Sequence, residues 1–132
     1  MANPNIAGSS TTIYGVTTYL TPGGTTALVL LPNAASSGTV MKINQIVAAN
    51  VSGSAAVNAT VSIYTNGAVA QNSAPAGGTA YPIASAVSVP AGASLIVVDK
   101  TSALYLMEGT SITVTSGTAS GITYSISYEL IA

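Results

Sequence analysis

The sequence predicts an all-β fold: a single β-sandwich, immunoglobulin-like or jelly-roll, of about eight to nine antiparallel strands over residues 11–132, with a short extended N-terminal arm over residues 1–10. Apolar residues recur with period two along almost the whole chain, the spacing that puts alternate side chains on opposite faces of a strand. Turn-forming Gly, Pro, Asn and Ser break that pattern at short, regular intervals, as in sandwiches and barrels. No segment carries an apolar stripe at helical spacing with caps. The abundant Thr, Val and Ile crowd the turns of a helix and fit a pleated surface.

The elements follow in order. Residues 11–21 are β-branched and aromatic, with Gly15 expected at a bulge or a close approach. Pro22, Gly23 and Gly24 turn the chain into a strand over residues 25–31, which Pro32 and Asn33 end. A small-residue loop leads to a long strand over 39–51. Its apolar residues fall on both faces, Met41, Ile43 and Val47 on one and Val40 and Ile46 on the other, as expected of a central strand. Residues 57–65 alternate cleanly. Asn66 to Gly78 is the longest low-complexity stretch and reads as a surface loop. The strand over 80–89 contains Pro82, which marks an edge or a bulge. Four shorter strands follow, over 94–98, 104–107, 111–115 and 122–130.

Composition narrows the chemistry. Only Lys42, Asp99, Lys100, Glu108 and Glu129 carry formal charge, and His, Cys, Arg, Trp and Phe are absent. Two lysines cannot neutralise the phosphates that drive nucleic-acid binding, so no nucleic-acid partner is expected. The longest apolar run, Ala27 to Leu31, is far below the roughly 18 residues of a spanning helix, and no membrane partner is expected either. The residues from Met1 to Asn5 have neither the basic nor the apolar region of a secretory signal. Without Cys there is no disulfide framework. A net charge of −1 leaves little repulsion to keep copies apart, which favours a chain packed against partners, including copies of itself.

No catalytic, cofactor or metal site emerges. Asp99 and Glu108 fall in expected turns and Glu129 close to residue 132, a poor setting for the paired carboxylates of a glycosidase. Lys42, between Met41 and Ile43, reads as a snorkelling side chain or a cross-strand partner for Glu108 or Glu129, and no GxSxG elbow is present to supply a nucleophile. Zinc, copper and iron sites lack His and Cys ligands, and Gly77–Gly78 lacks the lysine of a phosphate loop. The expectation is a chain that is not an enzyme. The seven tyrosines are the only aromatics, and Tyr combines apolar area with a polar tip, as interfaces require. Tyr14 and Tyr19, following the arm, are the candidate contact residues, together with Asn3, Pro4, Asn5 and Ile6 within it.

The opening MANPNI, residues 33–56, residues 77–112 and the ending SYELI resemble small virion structural proteins of tailed phages, particularly those of cyanobacteria. The likeness spans most of the chain, with residues 71–78 reading as an insertion. It implies a β-sandwich module attached to the particle, made in the host cytoplasm and located in the virion. Decoration or cementing of the capsid is the implied role, with the major capsid protein or another virion protein as partner and homo-oligomers expected. The alternative is a tail, neck or fibre component that touches glycans. A lectin or carbohydrate-processing enzyme is the rival from another class.

Overall fold

The computed structural model describes residues 12–102 and 104–132; the expected arm, with Asn3, Pro4, Asn5 and Ile6, lies outside them. Among the described residues nine strands form two antiparallel sheets: β1 (Ile13–Leu20), β2 (Leu28–Asn33), β3 (Val40–Asn50), β4 (Val57–Tyr64), β5 (Ala80–Val89), β6 (Ser94–Val98), β7 (Leu104–Leu106), β8 (Thr110–Ser116) and β9 (Ile122–Ile131). One sheet has the order β1-β9-β3-β6, with the short β7 also paired to β3; the other has the order β2-β8-β4-β5.

The pairings nest. β1 pairs with β9, β2 with β8, β3 with β6 and β4 with β5, as though one long hairpin had been rolled up and split between two layers. That nesting is the jelly roll, and it decides between the two sandwich types the sequence left open. β7 is an addition between the sixth and eighth strands.

The core lies between the sheets. Leu30, Ile43, Ile46, Leu106, Ile112, Ile122 and Ile126 are fully buried there, with the smaller Ala48, Ala59 and Val61 between them. Each large side chain so buried contributes roughly 1.5–3 kcal/mol of transfer free energy. Ile43 and Ile46 point into this core together, although their spacing assigns them to opposite faces of β3. The cause is a bulge: the β3–β9 register shifts between Ile43 and Gln45, so Asn44 is an extra residue and the inward set continues as Ile46 and Ala48. Val47 pairs with Ser125 and is only half-buried. Gly15 differs from expectation too. The β1–β9 register runs through it without a shift, and a Cβ there would meet nothing within 4 Å.

Three polar side chains fasten the layers and ends. Tyr124 on β9 crosses the core, donates its hydroxyl proton to the Thr115 carbonyl on β8 and accepts from the Thr60 amide on β4 at 3.2 Å. Asn33 is 1 % exposed and donates to the carbonyls of Thr39 (3.1 Å) and Leu106 (3.0 Å), while its oxygen accepts from Ser37 Oγ and Thr39 Oγ1. Asn50 does the same work at another corner, donating to the carbonyls of Ala55 and Val89 at 2.8 Å each. Each of these amides satisfies backbone groups that the bends between strands leave without a ladder partner.

Burial pushes the Tyr124 hydroxyl up from its ordinary 10.0 to about 12, and burial raises Tyr128 as well. Between pH 10 and 12 the unfolded chain has therefore released a proton that the folded protein still holds. The stability is full below pH 10 and is lost as pH rises through that window, by about 1.4 kcal/mol per pH unit for Tyr124. Denaturant unfolding from pH 8 to 11.5 measures this slope, and Tyr124→Phe removes most of it while costing about 1–2 kcal/mol at neutral pH. Asn33→Ala leaves buried carbonyls unpaired and lowers stability by about 1–3 kcal/mol, read as an earlier denaturant midpoint with an unchanged slope.

Candidate interaction surface

The interior is filled, so what this protein offers a partner is its outside. Among the described residues no pocket opens, and no group of three or more His, Cys, Asp or Glu comes together.

The carboxylates are spent on local structure. Asp99 Oδ1 accepts from the amides of Thr101 and Ser102 and from both their hydroxyls, an Asx-type turn after β6. The Thr101 hydroxyl bond, with the other turn bonds, holds the Asp99 carboxyl below its ordinary value against the opposing effect of desolvation. Glu108, in the turn between β7 and β8, accepts from the amides of Ser36 (3.2 Å) and Gly38 (2.9 Å) and so clamps the loop between β2 and β3. Ser36 in that loop has a φ of 62°, a left-handed conformation that such a clamp holds in place. Lys42 stands opposite Glu129 in the β3–β9 register and opposite Tyr105 in the β3–β7 register, on the outer face of its sheet. Glu129 accepts from the Asn44 amide at 3.4 Å, so the three carboxylates have three separate sets of partners.

Among the described residues, seven of the ten exposed large apolar side chains lie along two flanks of the sandwich, Val51, Tyr105 and Met107 being elsewhere. On β1, Ile13, Tyr14 and Tyr19 are exposed, Tyr19 the most at 72 %. On the other flank are Tyr81, Ile83 and Val87 of β5 and Ile96 of β6. β1 and β6 end one sheet and β2 and β5 end the other, so these flanks lie at opposite edges, three strand spacings or about 14 Å apart. The sequence-derived candidates Tyr14 and Tyr19 are both on the first flank, but on opposite faces of β1 and about 17 Å apart along it. Leu20 packs against the core, which turns Tyr14 to the core side at the rim and Tyr19 outward beside Ser125. Tyr81 carried the same compositional signal as Tyr14. Nothing in its local spacing distinguished it from buried Tyr64 or Tyr124, because what exposes it is the position of β5 at the end of a sheet.

The free edges differ in how they are treated. β5 carries Pro82 and two register shifts against β4, and Ala86 at one of them has a φ of 48°. β6 is five residues long and bulged against β3. β2 is covered: in the loop between β4 and β5, Ser73 accepts from the Val29 amide and the Asn72 amide donates to the Val29 carbonyl, both at 2.9 Å. That loop is a strap as well as a surface feature. A Cβ at Gly67 would overlap the carbonyls of Asn33 and Thr110, so the strap begins in contact with the sheet, and Gln71 ends up donating to Thr18 Oγ1 on β1 at 2.9 Å. Proline, bulges, shortness and covering loops are the devices by which edges are kept from pairing. β1 has none of the first three, and among the described residues its hydrogen bonds with the strap come from Gln71.

No family model matches the chain, and no curated protein matches it in sequence. Solved structures that align with it include two viral particles. One is the T13 viral particle of IBDV, at 10 % identity and a TM-score of 0.42 over 92 % of this chain and 30 % of that one. The other is infectious bursal disease virus Gx strain, at 13 % identity and a TM-score of 0.44 over 93 % and 32 %. The chain therefore spans about a third of the length of the chains it matches.

Glu108→Ala frees the amides of Ser36 and Gly38 from the clamp. Their hydrogen exchange is expected to quicken at least tenfold while that of the β3 core amides is unchanged, measured residue by residue.

Proposed function

We propose that this chain is a virion structural protein that decorates or cements a capsid by adhering to lattice subunits, and that it is not an enzyme. One observation carries the reading: a jelly roll with a filled interior presents uncharged apolar flanks at two opposite edges. A cement has to touch two neighbours at once, and opposed flanks provide that. A catalyst has to enclose a reacting group, and the carboxylates here accept hydrogen bonds in a turn, a clamp and from Asn44. Jelly rolls serve in capsids, lectins and cupins alike, so the topology permits the role without assigning it. The resemblance of residues 33–56 and 77–112 to phage virion proteins adds the particle. Low charge suits the setting, since copies held at lattice points a few nanometres apart do not repel one another.

The contacts of this reading are apolar and backbone in kind, which fixes their response to salt. At 1 M the Debye length is about 3 Å and surface charge pairs are screened. Particles washed in molar salt are expected to keep their full complement of this protein; release would overturn the adhesive reading. Tyr81→Lys with Ile83→Glu leaves the core untouched and is expected to lower occupancy on the particle at least tenfold, scored by gel densitometry against the capsid subunit. Deleting residues 2–10 tests the arm in the same assay, and unchanged occupancy removes it from the contact. Hundreds of copies per particle accord with the capsid, and a few dozen or fewer would move the protein to the tail, neck or fibre.

A further inference from the structure

The open edge of β1 has a definite hydrogen-bonding register. Thr12 and Ala132 exchange both backbone hydrogen bonds, at 2.8 and 2.9 Å. From that pair the ladder alternates without a shift along β1. Tyr14, Val16, Thr18 and Leu20 therefore turn their N–H and C=O groups toward β9. Ile13, Gly15, Thr17 and Tyr19 turn theirs away from the sheet. The Gln71 amide that reaches the Tyr19 carbonyl, at a long 3.4 Å, confirms the direction. β1 thus presents a row of four donors and four acceptors, of which only the Tyr19 carbonyl is met by another described residue, on a straight strand without charge, proline or bulge.

We propose that β1 pairs with β1 of a second copy of this chain, antiparallel about a two-fold axis through Val16, joining two sheets edge to edge. The geometry selects this register. Centring on Val16 sets Ile13 against Tyr19 of the second copy and Gly15 against its Thr17, so all eight outward groups of each strand find partners. The same register brings together the exposed apolar residues of the outer face. Each Tyr19 ring, 72 % exposed in the single chain, lies across from an Ile13 that is 54 % exposed. Aromatic and β-branched residues are favourable cross-strand pairs, and the axis makes two of them. No charged residue lies on β1, so nothing on the strand repels its copy across the axis.

The other three edges argue for the same occupant. Chains that must avoid edge pairing blunt every edge. Here β2 is strapped, β5 is kinked by Pro82 and two shifts, and β6 is short and bulged, while among the described residues Gln71 alone bonds along the outward edge of the straight β1. The exposed side chains supply only a few hundred Å² per copy, since a Tyr buries about 150–250 Å² at most, and interfaces below about 1,200 Å² in total belong to the weak, transient class. The pairing is therefore a concentration-dependent dimer in free solution, strengthened where other contacts already hold the copies side by side. It requires nothing of the particle role, and the two can fail separately.

Sedimentation equilibrium of the purified chain tests it. The average mass is expected to rise from 12.9 kDa toward twice that between about 10 μM and about 1 mM, the range of a weak complex. Ile13→Lys with Tyr19→Lys places like charges across both cross-strand pairs and abolishes the rise. Ile13→Lys with Tyr19→Glu places opposite charges there and retains it. Gly15→Pro removes one outward N–H without touching the β1–β9 ladder and weakens association at least tenfold. All three changes fall on the exposed side of the strand, and unchanged thermal unfolding checks that each variant is folded. A chain that stays monomeric to 1 mM overturns the proposal. So does a dimer indifferent to the Lys/Lys variant, and one lost equally in the Lys/Glu variant overturns the register.

Discussion

Every sheet ends in a row of unpaired N–H and C=O groups, and a sandwich has four such rows. Most proteins keep them apart with charge, and this chain has almost none to spend. Its two lysines and three carboxylates sit in turns or near the middle of one sheet face. The backbone itself must then decide which edges are sealed. Pro82 and the β5 bulges, the brevity of β6 and the strap over Val29 are the means, and each distorts or covers the ladder at its own location. Adhesion and solubility are settled by the same residues, because an unsealed edge is both a hazard and a binding site.

The strap shows how closely these choices are tied. Residues 66–78 look dispensable in sequence, rich in Ala, Gly, Asn and Pro. In the structure they leave β4, start against the Asn33 and Thr110 carbonyls, seal β2 through Ser73 and Asn72, and touch β1 through Gln71 before returning as β5. Asn33 lies beneath the start of that path and also holds Leu106 and the loop that Glu108 clamps. One end of the jelly roll is therefore a single polar assembly, made of short-range hydrogen bonds that need no formal charge beyond one carboxylate.

Much of the fold was legible because period two survives in almost every strand. All nine strands stand within about three residues of their expected bounds. The misreadings have one physical origin: local spacing does not reveal where pairing shifts. A single bulge at Asn44 put Ile43 and Ile46 on the same face, and an unshifted ladder passed through Gly15 where a bulge was expected. The choice of jelly roll over immunoglobulin order was illegible, since it depends on which distant strands pair. So was the surface. Tyr14 and Tyr19 could be chosen as contacts from their place beside the arm, but their opposite faces, the exposure of Tyr81 and the openness of β1 follow from sheet order. Asn33 and Asn50 gave no signal beyond standing at the ends of strands.

The account rests on β1 being the edge through which copies of this chain associate. Residue-resolved amide hydrogen exchange, comparing dilute protein with protein at about 1 mM, tests this most directly. The account expects the amides of Ile13, Gly15, Thr17 and Tyr19 to exchange rapidly in the dilute chain and to become protected at the high concentration, while those of Tyr14, Val16 and Thr18 are protected in both. Outward amides that exchange as fast in concentrated as in dilute solution would contradict it.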